Sequence, residues 1–206
     1  MSEDWEKQWK RQWAQIPLWW TILWRGYKKL LKGIELRNPE IIELGSGSGR
    51  TSLALAKEYG GKPTLVDSSR AAMVVARTLF KRENVLASFL RQDISQIDTD
   101  KKFDLVHSEG LIEHFSDEEM DQLIQLHANL VKDKGYVILF APTPSTTYRI
   151  WRAIQEMLGI WYYGKEKPLK ISQLSHLCQK NGLNPIRTTK TPFQAGILAI
   201  KATKNI

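Results

Sequence analysis

The chain has 206 residues, a net charge of +8, 42% hydrophobic residues and a single cysteine, Cys178. This length suits one α/β domain with a substantial core and argues against a second. One cysteine excludes a disulfide framework and a multi-cysteine zinc site, no apolar run reaches the roughly 18–20 residues of a membrane-spanning helix, and no cleavable leader is recognisable; a soluble protein of a reducing cytoplasm is expected.

Six of the eight tryptophans fall in the first 24 residues, at Trp5, Trp9, Trp13, Trp19, Trp20 and Trp24. The first three recur every four residues and would form one helical stripe. Three readings stay open: a helix packed on the domain, a lid over a ligand, or a peripheral membrane contact beside Lys28, Lys29 and Lys32. Residues 1–37 are read as an aromatic, basic extension or lid, and 38–206 as the domain. Charge follows the same division: residues 1–37 hold 8 Lys/Arg against 4 Asp/Glu, 38–163 hold 14 against 17, and 164–206 hold 8 against 1. Such basic ends suit RNA, an anionic lipid surface or an acidic partner, or are simply solvated.

The domain begins with an apolar run, Glu40-Ile41-Ile42-Glu43-Leu44, delivered into Gly45-Ser46-Gly47-Ser48-Gly49. The spacing predicts a helix over 51–59 ended by Gly60-Gly61, a strand over 63–67, a helix over 69–81, and strands over 85–90 and 103–107. Ser116-Asp117-Glu118-Glu119 is a capping box. The helix that follows places Met120, Leu123, Ile124, His127, Leu130 and Val131 on one face and is expected to end near Lys132, Lys134 and Gly135. A strand is predicted over 136–141, stopped by Pro142 and Pro144. An aromatic and basic insertion over 145–170 breaks the rhythm; a helix over 172–180 resumes it, followed by strands near 186–191 and 196–202 that suit an antiparallel hairpin. Strands alternating with helices predict a parallel sheet covered on both faces.

Such a sheet binds ligands outside the carboxyl ends of its strands, and a glycine turn lets backbone approach one closely. Arg50 occupies the position where a dinucleotide fingerprint needs glycine, and the Gly-Lys-Ser/Thr of a phosphate-binding loop is missing. Asp67 ends the second strand, 22 residues after Gly45, where a carboxylate can accept both hydroxyls of a ribose; a turn or helix cap is its plainer role.

Glu43-Leu44-Gly45-Ser46-Gly47-Ser48-Gly49 resembles motif I of the class I S-adenosylmethionine-dependent methyltransferases. The resemblance runs over about residues 38–202 and implies a Rossmann-like three-layer sandwich, with a mostly parallel seven-stranded sheet and a C-terminal antiparallel hairpin. It implies that Glu43, Gly45, Ser46, Gly47 and Gly49 face the amino-acid part of S-adenosylmethionine, that Asp67 and Ser68 hold its ribose, and that Asp93 and the Ile94 amide hold adenine. The segment Phe103 to Phe115 is similar to the fourth-strand motif of small-molecule methyltransferases, including those that modify quinones. Ser108 would then flank the methionine part, and His114 would stand at the mouth of the acceptor pocket as base or orienter.

Methyl transfer is an in-line displacement that gains much from positioning and needs a base only when the attacking atom carries a proton. Glu109 is a second acceptor-facing candidate, or else a carboxylate at a helix start. His127 is expected in the core and His107 inside a strand. Tyr148, Trp151, Trp161, Tyr162 and Tyr163 imply an aromatic acceptor pocket. No metal site is expected, because the clustered Asp/Asn of magnesium-dependent relatives is missing. The sequence points to methyl transfer onto a small apolar or aromatic acceptor, yielding S-adenosylhomocysteine. A methyltransferase that holds RNA or protein with its basic ends, and a non-catalytic S-adenosylmethionine-binding protein, are the alternatives.

Overall fold

The computed structural model describes residues 17–161 and 163–202; Trp5, Trp9, Trp13 and Tyr162 lie outside them. Helix α1 (Pro17–Leu31) precedes β1 (Glu40–Leu44), α2 (Arg50–Tyr59), β2 (Lys62–Asp67), α3 (Arg70–Arg82), β3 (Ser88–Arg91), β4 (Phe103–Glu109), α4 (Asp117–Leu130) and β5 (Val131–Pro142). Helices α5 (Thr146–Met157) and α6 (Ile171–Lys180) and strands β6 (Leu183–Lys190) and β7 (Gln194–Lys201) complete the chain. The strands form one sheet in the order β3-β2-β1-β4-β5-β7-β6, parallel up to β5 and antiparallel through β7 and β6. This is the Rossmann-like architecture expected, hairpin included. Strand order reverses between β1 and β4, which opens a crevice at their carboxyl ends.

Period-two alternation divides the core between two faces. Ile42, Leu44, Val106, Val137 and Leu139 pack with Met120, Ile124, Leu174 and Cys178 of α4 and α6. On the opposite face Ile41, Leu105, Ile138, Phe140 and Leu198 meet Leu23, Tyr27, Leu30 and Leu31 of α1. Those α1 residues recur at helical spacing, so one stripe docks onto the sheet. A Cβ on Gly26 would stand 2.9 Å from Phe140 Cζ, and the bare backbone there lets α1 lie on the ring, while Tyr27 stacks on Phe140 at 4.8 Å. Arg187 Nη1 donates to the Leu30 carbonyl at 2.9 Å and so satisfies part of the open end of α1. Among the described residues no helix is long and apolar enough to cross a membrane.

The Ser116–Glu119 capping box forms as expected. The helix it starts ends earlier than the sequence suggests, because Val131 turns extended and pairs with Phe103 of β4. Tyr136 then pairs with Leu105, so residues 132–135 bulge from the strand, with Lys134 at φ 61° and Lys132 Nζ on Asp104 Oδ1 at 2.8 Å. Of the lysines read as a helix terminus, Lys132 instead ties this strand irregularity to β4, and Lys134 turns within it. Much of the irregular insertion is also a helix, α5, whose N-cap Ser145 accepts from the Tyr148 amide at 3.0 Å.

Candidate active site

The crevice at the β1–β4 switch widens into a cavity of about 460 Å³. One end is made by the turn after β1 and the end of β2. Asp67 accepts from the Gly47 amide through Oδ2 and from the Ser69 amide through Oδ1, both at 2.8 Å, and thereby ties the glycine turn to the start of α3. Glu43, Gly45, Ser46, Gly47, Asp67 and Ser68 line this end, with Asp93 and Ile94 beyond them. Asp93 Oδ1 accepts from the Ser95 amide at 2.9 Å and caps a short 3-10 turn. Glu43 Oε2 and Ser46 Oγ are buried without a hydrogen-bond partner, which suits a polar ligand resting on the turn.

Two of the sequence candidates for the cofactor stand back from the cavity. Gly49, at φ 67°, is packed beneath its wall: a Cβ there would lie 2.9 Å from Leu65 Cδ1 and 3.1 Å from Phe80 Cε2. Its missing side chain lets α2 sit on β2 and α3. Ser108 is 1% exposed, and its hydroxyl bonds His127 Nε2 at 3.0 Å on the α4 face of the sheet. His127 Nδ1 bonds the Leu123 carbonyl at 2.7 Å, and burial pushes this histidine down to about 4, so it is a neutral core residue.

Behind Glu43 lies a buried polar chain. Tyr27 OH meets His107 Nδ1 at 3.1 Å, and His107 Nε2 meets Ser52 Oγ at 3.0 Å and lies 3.9 Å from Glu43 Oε2. Burial, then the nearby His127, pushes His107 down to about 3, so it is neutral and supplies no counter-charge. Burial raises Glu43 to about 8; hydrogen bonds from Ser52 oppose the rise and the Glu109 charge adds to it. The folded chain therefore keeps a proton on Glu43 that the unfolded chain releases near its ordinary 4.5. Without ligand, this share of stability is complete below that value and is lost as pH rises toward 8, at about 1.4 kcal/mol per pH unit at most. Thermal melts at pH 5 and pH 8 check it: Tm falls between them, and falls less in Glu43→Gln.

The other end of the cavity receives Glu109, Glu113 and His114 from the end of β4 and the 3-10 turn after it, Tyr148 and Trp151 from α5, and Tyr163 and Glu166 from the segment that follows. Glu109 ends a strand and starts no helix, which corrects the helix-start alternative. It accepts from Thr51 Oγ1 at 3.1 Å, and burial raises it to about 7. His114 Nδ1 bonds the Lys165 carbonyl at 3.2 Å, and the Gly110 carbonyl also supports its ring. Burial nevertheless lowers its pKa. Trp161 stands behind the wall, 5.4 Å from the Trp151 ring, with Nε1 on the Gly164 carbonyl at 2.8 Å.

Trp20, one of the tryptophans for which a lid over a ligand stayed open, lines the cavity; the sequence reading did not select Arg50, Thr51, Glu113, Glu166, Phe193 or Gln194, which also line it. Glu113 sat unremarked beside His114. Glu166 carried a usable signal as the one carboxylate among residues 164–206. Phe193 and Gln194 belong to the β6–β7 connection and had none.

A sheet of this order, with a glycine turn and an acidic β2 end at its switch point, defines the class I methyltransferase fold. Residues 41–135, just under half of the chain, match the family model described as a methyltransferase domain. The ubiquinone biosynthesis O-methyltransferase of Rickettsia akari (strain Hartford) is 31% identical over 100 residues, covering 48% of this chain and 39% of that protein. The match thus spans about two fifths of the curated relative's length. Among solved structures, magnesium protoporphyrin IX methyltransferase from Synechocystis PCC 6803 with bound S-adenosylhomocysteine superposes with a TM-score of 0.71 at 18% identity, covering 95% of this chain and 94% of that one. The 1,6-didemethyltoxoflavin-N1-methyltransferase of Burkholderia thailandensis gives 0.70 at 15% identity over 91% and 82% of the two chains.

Proposed function

We propose that the protein is an S-adenosylmethionine-dependent methyltransferase acting on a small acceptor with an apolar or aromatic body. The observation that carries this reading is that a nucleoside-type end and an aromatic end share one cavity of about 460 Å³. Ubiquinone biosynthesis, named for the curated relatives, and the small heteroaromatic acceptor in one structural neighbour's name point the same way.

S-adenosylmethionine, when bound, supplies a methyl group on a sulfonium that is open to in-line displacement. The unpartnered Glu43 Oε2 and Ser46 Oγ fit its polar amino-acid end. In this proposal Gly45 and Gly47 let backbone approach that end, Asp67 and Ser68 take the ribose, and Asp93 and Ile94 take adenine. Ser108 supports the site through the backbone at the end of β4. Trp151, Tyr148 and Tyr163 exclude water around the acceptor, and buried side chains strengthen every charge in the site. Glu109, raised to about 7, is placed to accept a proton from the attacking atom near neutral pH. His114, bonded to the Lys165 carbonyl, orients the acceptor wall.

The described part of the N-terminal segment buries its apolar stripe against the sheet, so a peripheral membrane contact would fall to Trp5, Trp9 and Trp13. Cytoplasmic residence belongs to the same proposal, as Cys178 is free and buried. Calorimetry with S-adenosylhomocysteine and transfer of a labelled methyl group to a panel of small aromatic acceptors test the reading. Micromolar binding and turnover are expected. No binding removes the proposal, and binding with turnover confined to RNA or protein transfers it to the macromolecular alternative.

A further inference from the structure

The acceptor end of the cavity is built from carboxylates and aromatic faces. Glu109, Glu113 and Glu166 all line it. An oxygen of Glu113, an oxygen of Glu166 and a ring nitrogen of His114 lie within 4.8 Å of one another. Glu113 is 2% exposed, and its Oε2 has no hydrogen-bond partner. Burial, with the charges of Glu166 and Glu109 added, drives Glu113 well above the ordinary carboxylate range. Glu166 Oε2 accepts from Tyr148 OH at 2.7 Å, while Arg152 reaches the Tyr148 hydroxyl and the Glu166 main-chain carbonyl, each at 3.3 Å. Among the described lining residues the arginines are Arg50 on α2 and Arg82 on α3, beside the glycine turn and β2. Arg152 offsets part of the Glu166 charge, but Glu113 and Glu109 have no such offset, and a neutral or anionic acceptor would leave them without one.

The aromatic wall fits the same occupant. The Trp151 ring lies 5.9 Å from Tyr163, 6.3 Å from Tyr148 and 5.8 Å from Phe193, an array of π faces close to the acids. Aromatic faces attract ammonium groups, and more strongly where water is excluded. We propose that the acceptor is an amine on an apolar or aromatic body, whose ammonium sits among Glu113, Glu166 and Glu109 and against the face of Trp151 or Tyr163. The proposal rests on the methyltransferase reading and names its substrate class. His114 is a positioning residue here: its bond to the Lys165 carbonyl joins the turn carrying Glu113 to the segment carrying Glu166. A divalent metal ion is the competing occupant, because His114 bonds the Lys165 carbonyl through Nδ1 and its Nε2 lies 3.8 Å from Glu113 Oε1; the chelator arm of the test separates the two.

The chemistry balances without another reactant. The ammonium gives one proton to the Glu109 carboxylate, and the freed nitrogen lone pair forms the C–N bond as the C–S bond of the sulfonium breaks. S-adenosylhomocysteine leaves neutral, and Glu109 passes the proton to solvent.

Calorimetry with phenethylamine, 2-phenylethanol and phenylacetate, with and without S-adenosylhomocysteine and in the presence of a chelator, tests the class. The amine is expected to bind at least tenfold tighter than the alcohol or the carboxylate. Glu113→Gln and Glu166→Gln should each reduce that preference at least fivefold and leave S-adenosylhomocysteine affinity within twofold. An amine that binds no better than the other two, or Mn²⁺ or Zn²⁺ that displaces it at lower concentration once the chelator is omitted, overturns the proposal. S-adenosylhomocysteine binding without amine preference sinks this inference alone. Amine preference without S-adenosylhomocysteine binding sinks the methyltransferase reading and leaves the ammonium site standing.

Discussion

Asp67→Ala is expected to weaken S-adenosylhomocysteine binding about 100-fold, or about 2.7 kcal/mol. Each hydrogen bond to a charged carboxylate contributes about 1.5–3 kcal/mol, and Asp67 is positioned to offer two acceptors to a ribose. The same oxygens hold the Gly47 and Ser69 amides at 2.8 Å, so the substitution also unties the glycine turn from β2. Asp67→Asn keeps one acceptor oxygen and should lose roughly tenfold, an intermediate value that separates charge from contact. Calorimetry on folded variants measures both. Unchanged affinity in Asp67→Ala would remove Asp67 from the site and, with it, the nucleoside reading of this end of the cavity.

Gly49→Ala is expected to destabilise the fold by about 3 kcal/mol, even though Gly49 does not line the cavity. Placing a Cβ in the left-handed region costs about 1–2 kcal/mol, and overpacking a tight core adds about 1–3. Both apply here, because φ is 67° and the new atom would stand 2.9–3.1 Å from Leu65 and Phe80. Gly159→Ala is the control: φ is 65° and nothing lies within 4 Å, so only the backbone share, about 1 kcal/mol, should appear. Urea denaturation of the two variants reads the difference. Equal losses would mean that Leu65 and Phe80 yield to the methyl group.

The parts of the fold legible in the sequence are those in which neighbours in sequence do the work. The apolar run Ile41-Ile42-Glu43-Leu44, the Ser116 capping box and the glycine turn are local signals, and the structure uses each where it stands. The end of α4 was not legible, since what stops it is the pairing of Val131 with Phe103, which is distant in sequence. Helix α5 did carry a local signal, since Ile150, Trp151, Ile154 and Met157 recur at helical spacing behind the Ser145 cap, although Ile150 and Ile154 face solvent at 56% and 47% exposure. The site divides in the same way. The end of the cavity beside the glycine turn is lined by contiguous motifs, whereas Glu166, Phe193 and Gln194 reach its aromatic end from segments far along the chain.

Helix α1 lies wholly before residue 41, where the methyltransferase-domain match begins, yet it holds some of the deepest side chains in the molecule. Tyr27 and Leu30 are 0% exposed, and Tyr27 bonds the histidine that backs Glu43. A protein trimmed to begin at residue 38 would look intact by domain boundary but would lose the plug that seals one side of its sheet. Phe140, Ile138 and Leu198 would then face water, and His107 would lose its tyrosine. Such a fragment should be recovered as aggregate, so recombinant work on this chain has to keep the segment that precedes the recognisable domain.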